Sequence, residues 1–130
     1  MNDQDILEEM GKFGCLALCY IRAGILISGQ EPEDGQVINK LVDVYFNTHF
    51  LARDCSVLDG EGLVTYVSGT KCSVTKTTEV SGDLECRNYF YSGNNHWVLF
   101  FKGQCIYNSL ANSKCFNCGE CKDVRKISYV

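Results

Sequence analysis

Three residues far apart in the chain have the types a thiol-dependent acyl transfer needs: Cys15, His96 and Asn108. A thiolate is the nucleophile, an imidazole takes and returns its proton, and a third polar side chain fixes the imidazole's tautomer. Cys15 follows Gly14 at the head of an apolar run, Cys15 to Ile27, that reads as a central helix buried nearly all round. At a helix start, unpaired backbone N–H groups and the positive end of the dipole favour a thiolate. That predicts a lowered thiol pKa at Cys15. Cys19, one turn further in, is the rival nucleophile and gains less from the dipole.

His96 and Asn108 lie on the two arms of the stretch Asn94 to Asn108, which reads as a β-hairpin of aromatic and β-branched residues around Gly103. A three-residue loop, Phe101-Lys102-Gly103, places Gly103 at a left-handed position and sets His96 opposite Asn108. A two-residue loop, Lys102-Gly103, instead pairs Trp97 with Asn108 and sends His96 to the other face, because one slip reverses every side chain. The first register is the one that brings imidazole and amide together.

Cys115, Cys118 and Cys121 form a second candidate constellation, two overlapping C-x-x-C steps flanked by Lys114 and Lys122. Thiolates at this spacing suit tetrahedral zinc, with Cys105 or Cys86 as a fourth ligand, and such a metal would be structural. A loop of free thiols or a redox-labile pair fits the same spacing.

The bulk numbers narrow the partners. At 130 residues, with 45% hydrophobic and 22% charged side chains, the chain has the size and composition of one globular domain. A formal net charge of -4 with no basic run disfavours nucleic acid. The longest apolar stretch is broken by Arg22 and Gly24, so no membrane span is expected. The acidic start, Met1-Asn2-Asp3-Gln4-Asp5, lacks the pattern of a signal peptide. Nine cysteines, an odd number, then argue for free thiols in the cytoplasm rather than a disulfide framework.

The positioning elements follow in order. Asp5 to Met10 is a short amphipathic start, broken at Gly11 and Gly14. After the central helix, Gly29 to Gly35 is a loop and Gln36 to Leu51 returns to helical spacing. From Val64 and Tyr66 onward the period becomes two. Ser73 to Thr75, Arg87 to Tyr91, the hairpin and Ile127 to Val130 read as a meander of strands. Helices first and strands after give an α+β layout, with N-terminal helices packed on one face of an antiparallel sheet.

Phe13-Gly14-Cys15-Leu16-Ala17-Leu18, Asn95-His96-Trp97-Val98-Leu99 and Ile106-Tyr107-Asn108 together resemble a minimal papain-like cysteine peptidase. They are most similar to the bacteriocin-processing branch and to an uncharacterised family of short bacterial and phage relatives. The resemblance implies one papain-like domain over 1–130, with Cys15 as nucleophile, His96 as base and Asn108 as orienter. It also implies a peptide or protein substrate and no required cofactor. Where such peptidases place a Gln before the nucleophile, this chain has Glu9, with Gln4 further upstream. A carboxylate there would repel a developing oxyanion, so Asn94 or Asn95 with the Cys15 N–H are the alternative donors. The same departure leaves open a catalytically degenerate binding protein, such as a phage- or plasmid-encoded inhibitor of a host factor. A small zinc-stabilised interaction module is the third reading.

Overall fold

A computed structural model describes residues 2–110 and 113–129, with the backbone alone at 11–13. The first helix, α1 (Asp3–Ile27), opens on a capping box in which the Asn2 and Asp5 side chains each accept the other's backbone N–H. It is two helices joined at Gly14, whose φ of -123° and ψ of 33° are non-helical. The joint is sharp. Gln4, Leu7 and Glu8 share one cavity with Arg22 and Asp34, whereas a straight helix would set Gln4 about 27 Å from Arg22. The first half therefore bends toward the Arg22 side of the second.

The second half is the molecule's axis. Ala17, Leu18, Cys19, Tyr20, Ile21, Ala23 and Ile25 are buried, as its unbroken apolar run predicts. Helix α2 (Asp34–Asn47) packs on it through Val37, Leu41 and Val44. Gly24 lets α3 (Gly60–Ser68) approach closely: a Cβ there would lie 2.7 Å from Val67. Helix α3 corrects the strand expected at Val64 and Tyr66. Asp59 caps it by accepting the Gly62 N–H at 2.9 Å, and Gly69 ends it at a φ of 73°. Two local end signals outweigh a run too short to show its period.

Five strands follow: β1 (Cys72–Thr77), β2 (Glu85–Tyr91), β3 (Asn94–Phe101), β4 (Gln104–Tyr107) and, after the short helix α4 (Lys114–Cys118), β5 (Glu120–Tyr129). All pair antiparallel in the order β1-β5-β2-β3-β4, so the sheet is not the expected meander. The last strand inserts between the first two and starts well before Ile127, while Val130 lies outside the described residues. Charges at the centre of β5 are tolerated because they are paired, Arg125 with Asp123 and Lys126 with Asp83.

Alternation assigns the faces. Cys86, Trp97, Leu99 and Ile127 pack against α1 to α3 in the main core. Glu85, Arg87, Val98 and Phe100 point to the reverse face, where α4 lays Phe116 against Tyr89 and Phe100. There the fully buried Glu85 carboxylate accepts from Arg87 Nε at 2.7 Å and from the Ser81 hydroxyl, so its charge is matched. The fold is α+β, with the N-terminal helices on one sheet face. Among the described residues no helix is long and apolar enough to cross a membrane.

Candidate functional site

The β3–β4 hairpin decides where His96 and Asn108 meet, and it does so differently from the expected register. Phe101 faces Gln104, so the loop is the two-residue Lys102-Gly103 turn, with φ of 54° and 76° at its two positions. Two left-handed residues match the twist of the flanking strands, which is why this turn displaces the three-residue loop. Continued unbroken, that register would turn Asn108 onto the Trp97 face. A bulge prevents it. Phe100 pairs with Cys105 but Leu99 pairs with Tyr107, so Ile106 is an extra residue and restores the parity. Asn108, just past β4, shares a face with His96, and His96 Nε2 lies 2.7 Å from Asn108 Oδ1.

The proton on that bond can be assigned. Asn108 Oδ1 also accepts the Leu110 backbone N–H at 3.0 Å. A backbone amide can only donate, so the atom it meets is the side-chain oxygen and not the nitrogen. His96 Nε2 is therefore the donor, and Nδ1 is left as the basic nitrogen. Burial holds the imidazole below its ordinary pKa, with the Asn108 hydrogen bond opposing. His96 is 2% exposed and neutral at pH 7.

Cys15 is the first residue after the joint at Gly14, at the start of the buried half-helix. Its half-buried sulfur meets the backbone amide of Trp97, the residue after His96. Strand β4 stops pairing at Leu99, which leaves this part of the β3 edge to the helix. The expected low thiol pKa is corrected: burial raises it, and the amides of Trp97, Leu16 and Cys15 itself offset only part of the rise. Desolvation of a thiolate outweighs a helix start when the helix is in the core. Cys19, fully buried, is pushed higher still by burial and by the neighbouring Cys86 thiol, so it is the poorer nucleophile.

The remaining candidates separate. Asn95 is committed, its side-chain amide donating to Asn88 Oδ1 at 3.1 Å. Asn94 is exposed, and Glu9 lies exposed on the first half of α1. Cys115 is on the buried side of α4, Cys118 at its end is exposed, and the Cys121 sulfur turns to the Asp123 carbonyl at 3.8 Å. Among the described residues no three His, Cys, Asp or Glu side chains converge as a metal site, so the three thiols are not brought together as ligands. Sequence reasoning missed the Trp97 and Leu110 amides, which no residue type announces. It also passed over Arg22, whose signal was present: one charge inside an apolar helix. No family model, curated protein or solved structure matches the chain.

Proposed function

We propose that the chain is a cysteine hydrolase of papain-like build, acting on an amide or ester bond of a peptide or protein. The observation that carries this is the His96–Asn108 hydrogen bond at 2.7 Å, formed by residues twelve apart and beside the strand amide that meets Cys15. The Asn108 oxygen holds Nε2–H, and in this reading the His96 ring swings so that Nδ1 takes the Cys15 proton. With both groups neutral at rest, the proton moves as the sulfur attacks, which is general-base rather than ion-pair activation. The sulfur bonds to the carbonyl carbon, and His96 returns the proton to the departing amine or alcohol. Water, deprotonated by His96, then hydrolyses the thioester and regenerates the thiol. All nine cysteines are free, which suits a reducing compartment such as the cytoplasm.

A thiol-directed acyl-mimic probe tests the assignment, with covalent labelling read by intact mass. Labelling should vanish in Cys15→Ala and persist in Cys19→Ala; labelling that survives the first change overturns it. A second reading, a binding protein on a site that no longer turns over, is favoured by Glu9 and by the raised thiol pKa. It expects a folded wild type that the probe leaves unlabelled.

A further inference from the structure

We propose that the uncapped end of the β1 edge, with the cavity beside it, takes up a short extended peptide segment as an added strand. Strand β1 is an outer strand of the sheet, paired with β5 on one side, and helix α3 packs against it. Two α3 side chains cover its open edge. The Thr65 hydroxyl accepts the Cys72 N–H and the Glu61 carboxylate accepts the Val74 N–H, each at 3.1 Å. An open edge invites pairing with another chain, and such caps blunt it.

The row of caps then runs out. Outward N–H groups recur at every second residue of a strand, so the next is that of Lys76. The two capping side chains are four residues apart, and four residues before Glu61 stands Val57, ahead of the helix and without an acceptor. Among the described residues no side chain caps the Lys76 N–H. The Lys76 N–H and C=O share the outer edge with the Val74 C=O, a pattern of donor and acceptors that a peptide backbone complements.

A cavity of about 260 Å³ opens at this point, with Leu16, Val57 and Val74 in its wall and Leu58, 67% exposed, beside them. Side chains alternate along a strand, so an added strand turns every second one toward the helices, where this cavity has room for a valine or leucine. Charge does not select the occupant. Asp59 and Glu61 line the cavity together with Lys76 and Arg125, two of each sign, which suits a neutral main chain carrying an apolar side chain. The opposite sheet edge is the poorer site, because β4 has four residues and a bulge at Ile106. The inference stands apart from the hydrolase reading, since it uses neither the Cys15 thiol nor His96.

The blocked peptide acetyl-Thr-Val-Thr-Val-Thr-amide, titrated into the full chain with backbone amide NMR signals followed, tests it. The Lys76 amide should shift saturably and exchange more slowly with solvent. The same peptide methylated at its backbone nitrogens cannot donate to the edge carbonyls and should bind about tenfold more weakly. Lys76→Pro, tolerated where an N–H faces outward, and Val57→Gln, which returns an acceptor to the row, should each weaken the affinity by a similar factor. Cys15→Ala should leave it unchanged. A Lys76 amide that does not move, or equal affinity for the methylated peptide, overturns the proposal. A Lys76 shift that follows chain concentration without peptide would assign the edge to a second copy, and binding lost in Cys15→Ala would place the peptide at the thiol; either result overturns it as well.

Discussion

Two regions of this chain carry cysteines at suggestive spacing, and the fold treats them in opposite ways. Around Cys15 the proposed partners are distant in sequence, yet His96 and Asn108 meet each other, and the Cys15 sulfur meets the backbone of Trp97 next to His96. Around Cys115, Cys118 and Cys121 the partners are adjacent in sequence and diverge in space. One is buried on α4, one faces solvent, and one turns along β5. Close spacing along a chain does not make a cluster; the elements that set side-chain direction do.

The contrast can be broken most severely at Cys15. Its change to Ala should remove covalent labelling and any turnover entirely, while Cys118→Ser should leave both intact. Equal effects would dissolve the distinction. Asn108→Ala comes next. Losing the bond to His96 is worth about 1–2 kcal/mol, a fall of roughly five- to thirtyfold in kcat/KM with the fold retained. A loss as complete as that of Cys15→Ala would make Asn108 more than a positioning residue.

Acidity gives a smaller and more specific test. Burial lowers the His96 pKa in the folded state, so below the ordinary value of 6.5 the unfolded chain binds more protons than the folded one. Stability contributed by the neutral ring is present above 6.5 and is lost as pH falls toward the lowered value. Denaturant midpoints measured across that window should fall with acid in the wild type and less steeply in His96→Gln. The smallest effect belongs to the second cysteine region. Cys118→Ser should change stability by no more than about 0.5 kcal/mol, and a chelator should not move the melting temperature. A large chelator effect would make that region a metal site after all.

The elements that carry the candidate residues were legible because their patterns are local: an apolar helix begins after Gly14, and a strand of aromatic and β-branched residues carries His96. What escaped was non-local. Nothing within Glu120 to Tyr129 says that it pairs between β1 and β2, since that choice depends on partners thirty or more residues away. Helix α3 was misread because nine residues give little periodicity, and its cap at Asp59 needed more weight. The thiol pKa went the wrong way because a sequence shows the helix start but not how much water the packed core removes. The turn at Lys102-Gly103 and the bulge at Ile106 were each missed, yet their errors cancelled in parity and left Asn108 beside His96.

That cancellation constrains how this hairpin can change. Deleting Ile106 alone would straighten β4 and swing the Asn108 amide to the wrong side of the sheet, while the strands could still zip together. Insertions and deletions in this arm should thus keep the His96–Asn108 contact in twos and break it in ones. Odd-numbered length changes part Asn108 from His96 while substituting neither residue.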